Sequence, residues 1–149
     1  MKLNHWKFTG SFSVWRYEPT NRNYFGFHCS GNTEGVNSIV SLLEAFLLEG
    51  KNQSRNVALS SPSESNLRVV GCKSKSVSCS RLTLNYFPEQ ENVNLWSLNS
   101  SNNSVELSVG FNTVQQLKDA IFGISRGKGD FCIGEKESAL WFWWQLKSS

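Results

Sequence analysis

The chain has 149 residues, 15 of them basic and 12 acidic, for a formal net charge of +3, a balance that excludes a dominant electrostatic partner and long-range steering. An apolar fraction of 39%, counted before 11 glycines are added, excludes disorder as the main state, because a chain of this length can close a core with that much apolar surface. The charged fraction is only 18%, below the usual ~25%, so asparagine and serine supply much of the polar surface.

Residues 1–149 read as one domain, without internal repeat or linker. The first residues, Met1 to Lys7, carry no apolar stretch of the length a secretory signal needs. No run approaches the ~20 apolar residues of a membrane span. The expected setting is therefore cytoplasmic with no membrane partner, and the scattered Cys29, Cys72, Cys79 and Cys132, without a Cys-x-x-Cys pair, are expected to be reduced.

From residue 4 to 17 the chain reads extended: Trp6 and Phe8 share a phase, and after Gly10 so do Phe12 and Val14. The Pro- and Asn-bearing segment 18–23 predicts a turn, and 24–29 a second strand able to pair antiparallel with the first. Asn32 or Thr33 is placed to cap a helix, followed by Val36, Ile39, Val40, Leu43 and Leu47 at helical spacing and ended by Gly50. Residues 57–59 predict a short strand, 67–70 another inside a serine-rich loop or ragged edge spanning 60–80, and 81–87 a half-buried strand closed by Pro88. Two further strands, 92–98 and 105–109, are predicted around a turn at 99–103. A second helix follows over 112–126, with Gly127 suited to the left-handed position after it. Residues 131–133 and 139–144 predict a terminal hairpin. Both phases of its last strand are apolar, Ala139, Trp141 and Trp143 against Leu140, Phe142 and Trp144, so it is expected to be covered on both sides, inside a sheet or at a contact surface. The fold class expected is α+β, one antiparallel or mixed sheet of about seven strands with two helices packed on it.

No constellation of comparable clarity points to chemistry. Arg126-Gly127-Lys128-Gly129-Asp130 has the composition of a phosphate loop but closes a helix and enters a strand, the reverse of the required order, and reads as a helix C-cap. His28 and Cys29 are neighbours in a strand and point to opposite faces; no metal-type spacing is present, and no catalytic residue, metal or cofactor is assigned. Glu89 with Glu91, and Glu135 with Glu137, read as solvated turn carboxylates. Trp15 shares its phase with Ser11, Ser13 and Tyr17, a polar face bearing two aromatic rings, which makes Trp15 and Tyr17 the candidate anchors for a protein partner. His28 and Asp130 are the candidate polar groups of a ligand pocket between sheet and helices. Arg68, Lys73, Lys75 and Arg81 form the one local basic stretch, with Tyr86 or Trp96 nearby for base stacking, a minor candidate for single-stranded nucleic acid.

Three segments, Trp6-Lys7-Phe8-Thr9-Gly10-Ser11-Phe12, Gly127-Lys128-Gly129-Asp130-Phe131-Cys132-Ile133-Gly134 and Leu140-Trp141-Phe142-Trp143-Trp144, resemble an uncharacterised family of small bacterial single-domain proteins. The resemblance implies a bacterial, single-domain protein and carries no activity or site residue. From the residues themselves the leading expectation is a non-enzymatic binding protein, an immunity-like or accessory factor or a self-associating dimer using an aromatic sheet face. A small-molecule binder or enzyme with a pocket between sheet and helices is the alternative, and a weak nucleic-acid binder the third.

Overall fold

The computed structural model describes residues 3–18, 25–70, 75–127 and 131–143. The antiparallel pair expected at the start is present: β1 (Phe12–Glu18) and β2 (Phe27–Gly31) set Val14 opposite Cys29 and Trp15 opposite His28. Helix α1 (Thr33–Glu49) follows. Its N-cap, Asn32, accepts from the Gly35 amide at 2.7 Å and from the Ser11 amide at 3.0 Å, so one side chain starts the helix and pins the entry to β1. Gly50, at φ +64°, ends the helix by returning its N–H to the Phe46 carbonyl.

The remaining strands are β3 (Gln53–Ala58), β4 (Lys75–Ser78), β5 (Arg81–Tyr86), β6 (Trp96–Ser101), β7 (Ser104–Val109), β8 (Phe131–Ile133) and β9 (Leu140–Phe142). They make two sheets instead of the single seven-stranded sheet the sequence suggests: a five-stranded one in the order β4-β1-β2-β9-β8 and a four-stranded one in the order β3-β5-β7-β6. The division occurs at Cys79 and Ser80, where one run of extended chain changes partner. The Cys79 amide donates to Val14 O, continuing the β1–β4 ladder, while Ser80 O accepts from the Leu59 amide, continuing β3–β5, both at 2.9 Å. Two of the pairings, β2 with β9 and β5 with β7, are parallel, which local alternation cannot announce because the partners are distant in sequence.

Three α-helices are described where two were expected. Residues 67–70 fall in α2 (Glu64–Val70) and not in a strand. The Ser63 hydroxyl accepts from the Asn66 amide at 3.1 Å and the Ser63 carbonyl accepts from the Leu67 amide at 3.1 Å; this cap starts a helical turn that overrides the β preference of the following valines. Helix α3 (Phe111–Ser125) ends with Gly127 at φ +75°, as the sequence predicts.

Both sheets and the helices α1 and α3 share one continuous core, built from alternate residues such as Phe12, Val14 and Cys29 on the larger sheet and Leu82, Leu84, Val105 and Leu107 on the smaller. The void remaining where the sheets meet α3, among Val14, Leu84, Leu117 and Ile121, is about 10 Å³. Strand β9 lies between β2 and β8, so the aromatic C-terminal strand is internal: Leu140 and Phe142 enter the main core, and Trp143 joins a second cluster on the sheet's other face. Among the described residues no helix is long and apolar enough to cross a membrane.

Candidate functional site

The outer face of the five-stranded sheet is closed. Trp15 has no solvent exposure and Tyr17 only 5%, so neither is available as the surface anchor the sequence suggests. The serines in phase with Trp15 gave that face a solvent-like composition, but β9 brings Trp143 against it, and α2 lays Leu67 on the same cluster. The covering helix is held by polar bonds: Asn66 Nδ2 donates to Ser30 Oγ at 3.2 Å, and Ser30 Oγ donates to the Trp143 carbonyl at 2.8 Å.

His28 sits in the middle of this cluster, fully buried, between the Trp15 and Trp143 rings at centroid distances of 5.8 and 6.1 Å, with the Tyr17 ring edge-on at 5.1 Å. Trp143 Nε1 donates to His28 Nδ1 at 2.9 Å, and Trp15 Nε1 donates to the Tyr17 hydroxyl at 3.0 Å. An Nδ1 that accepts a hydrogen bond carries no proton, so this geometry assigns the neutral imidazole with its proton on Nε2. His28 therefore packs and orients the aromatic face, and it lies on the opposite side of the sheet from α1 and α3, against which a ligand pocket was expected. That expected space is the filled core. Asp130, the other candidate pocket group, lies outside the described residues.

Cysteine chemistry is also suppressed inside the protein. Burial pushes the Cys29 thiol well up, and burial pushes Cys79 up against a smaller opposing influence from the Arg16 charge, leaving both as protonated, weakly nucleophilic groups. Cys132 is half-buried. Among the described residues no group of three or more His, Cys, Asp or Glu is placed to hold a metal.

The basic stretch does not converge. Arg68 is exposed on α2, 3.8 Å from Glu64. Lys75 opens β4 opposite Glu18, whereas Arg81 opens β5 in the other sheet, six residues and roughly 20 Å further along extended chain. Lys73 lies outside the described residues.

What the structure leaves open is a rim that the sequence did not mark. Two adjoining clefts of about 480 and 370 Å³ run beside β6 and share Leu98, Asn99 and Glu137; the first is also lined by Phe25, Glu135 and Lys136, the second by Arg16, Phe27 and Ser100. One wall is the 3-10 turn Lys136–Ser138, which spans the sheets: its Ser138 carbonyl accepts from Trp96 Nε1 at 2.8 Å, and the adjacent Ala139 carbonyl accepts from the Phe27 amide at 2.8 Å. Gly26, at φ +86°, permits that closeness, since a Cβ there would stand 2.3 Å from the Ala139 oxygen.

The same wall holds Lys136 at φ +52°, a left-handed conformation that costs a residue with a Cβ about 1–2 kcal/mol. Phe25 is 40% exposed at the mouth. Arg16 is paired with Glu18, whereas Glu135, Lys136 and Glu137 are exposed and form no ion pair among the described residues. The sequence reading of Glu135 and Glu137 as turn carboxylates describes their local structure but not the cleft they border.

The sequence pattern predicts that strand β6 ends at residue 98. It continues to Ser101, because Asn102 takes φ +56° and closes a two-residue turn with Asn103. That tight turn also sets which backbone groups face the cleft. Ser101 and Ser104 close the hairpin, so bonds to β7 alternate through Ser101, Asn99 and Ser97. Trp96, Leu98 and Ser100 direct their N–H and C=O groups away from β7, along the free edge of the sheet. Neither a protein-family model nor a curated protein sequence matches the chain.

Proposed function

We propose that this protein is a non-enzymatic binding protein, an immunity-like or accessory factor, whose contact surface is the rim cleft beside β6 and not the aromatic sheet face. The observation that carries this reading is an open sheet edge lying in a concave groove, with an exposed aromatic ring at its mouth and unpaired charges on its wall. Concave sites with a few convergent polar groups are where ligands and partners are held. Support for a non-enzymatic role comes from the described chemistry: His28 is occupied in packing, and the Cys29 and Cys79 thiols are buried and protonated. The volume of the groove, within the roughly 300–1,000 Å³ of small-molecule sites, favours a small-molecule binder as the second reading.

The test compares tagged wild type with Glu137→Arg in capture from lysate of the host, after nuclease treatment. Glu137 is exposed and borders both clefts, so the fold is expected to survive. A protein captured by the wild type and lost from Glu137→Arg, with unchanged Tm, supports the reading. Equal capture by both moves the contact away from the cleft, and no capture by either removes the protein-binding reading.

A further inference from the structure

The cleft has a backbone as well as side chains, and the backbone narrows what can bind there. Over Leu98 to Ser101 the free edge of β6 presents outward N–H and C=O groups at Leu98 and Ser100, and no hydrogen bond from another described segment meets them. Unpaired edges are templates for another strand, and chains usually blunt them with lysine, proline or a bulge. The run Leu98-Asn99-Ser100-Ser101 has none of these.

Resting on the reading of the cleft as the contact surface, we propose that the partner is bound by strand addition: a short extended segment pairs with β6 at Leu98 and Ser100 and sets a basic side chain against Glu135 and Glu137. Concavity selects a single segment over a second copy of this chain. The Lys136–Ser138 turn stands beside the Trp96 end of β6, joined to it by the indole bond to Ser138, and Phe25 and Phe27 form the facing side. A second β6 arrives as the edge of a four-stranded sheet and would drive its own β7 into that wall, whereas a lone strand has only to fill the groove. Charge selects its composition. Two carboxylates and one ammonium, none paired among the described residues, leave the wall net negative. Main-chain bonds then supply affinity and alternate side chains supply selectivity.

The experiment titrates the 15N-labelled full chain with three blocked hexapeptides: alternating valine and lysine, the same peptide N-methylated at alternate residues, and alternating valine and glutamate. Saturable shifts of the Leu98 and Ser100 amides by the lysine peptide are expected, with affinity about tenfold weaker for the N-methylated form, which cannot make two of the bonds, and weaker again for the glutamate form. Ser100→Pro removes one outward N–H without touching the β7 ladder and is expected to weaken binding about three- to tenfold, read at the Leu98 amide; Glu135→Gln with Glu137→Gln provides a second variant that leaves the backbone unchanged and is expected to lose the lysine preference. Equal binding of plain and N-methylated peptides would overturn strand addition while sparing the cleft as a binding surface. Shifts confined to other strands, or none at Leu98 and Ser100, would overturn it as well. A dimer in sedimentation that Ser100→Pro converts to monomer would replace the partner segment with a second copy. The capture experiment above is independent of these peptides, so loss of the binding reading and loss of the strand-addition mode are told apart.

Discussion

The outer face of the five-stranded sheet and the free edge of the four-stranded one exchange the roles their compositions suggest. The first carries Trp15, Tyr17 and Trp143 and is buried beneath α2; the second buries its Leu98 side chain in the core and leaves Asn99, Ser100 and Ser101 exposed. Ring surface is removed from water wherever the chain can supply a cover, here a seven-residue helix started by Ser63. A backbone edge of small polar residues loses little by remaining hydrated, so it is the kind of surface a fold can leave for a partner.

Substitutions can break this contrast, and the largest effect belongs to the closed face. Trp15→Ala removes a fully buried indole and is expected to cost about 3–5 kcal/mol in urea denaturation, as a loss of folding and not as the loss of a surface contact. A Trp15→Ala protein of wild-type stability would mean that the face is open in solution. Trp143→Phe keeps most of the ring but takes the donor from His28 Nδ1; leaving that buried nitrogen without its donor is expected to cost about 1–3 kcal/mol. Ser63→Ala tests the cover itself. Losing the cap of α2 is expected to cost about 0.5–2 kcal/mol and to raise hydrogen exchange at the amides of α2 and on the outer face of β1 and β2, while β6 is unchanged.

A smaller effect comes from pH. Burial pushes the Cys29 and Cys79 thiols up, and burial followed by the Glu89 charge pushes the Tyr86 phenol up. The folded chain thus keeps protons that the unfolded chain releases above about pH 8.5 for cysteine and about pH 10 for tyrosine. Stability is fully present below those values and falls as pH rises beyond them, so Tm should be level through neutral pH and decline in alkali. Cys29→Ala should flatten the first part of that decline. The smallest effect is expected at the open edge, where Ser100→Pro should change stability by less than about 0.5 kcal/mol, because the N–H it removes points away from β7.

Local pattern reached a good part of the fold. Asn32 and Gly50 mark the ends of α1, Gly127 closes α3, and the alternation of Phe12 with Val14 and of Leu82 with Leu84 identifies strands whose inward residues do reach the core. Each of these depends on residues a few positions apart. The site was less legible for the same reason in reverse: Trp15 and Trp143 are 128 positions apart yet share one cluster, and Leu98 on β6 and Glu137 on the turn before β9 border one cleft although they are 39 positions apart.

By itself the sequence determined that this is an α+β protein, where its two long helices begin and end, and that its last strand is apolar on both faces, since capping, helical spacing and alternation are properties of neighbouring residues. Only the tertiary structure decided that the strands divide between two sheets at Cys79 and Ser80, that the tryptophan face is closed, and that no described strand pairs with the outer edge of β6. Those outcomes depend on which distant segment covers which surface, a competition for burial that no short stretch of chain records.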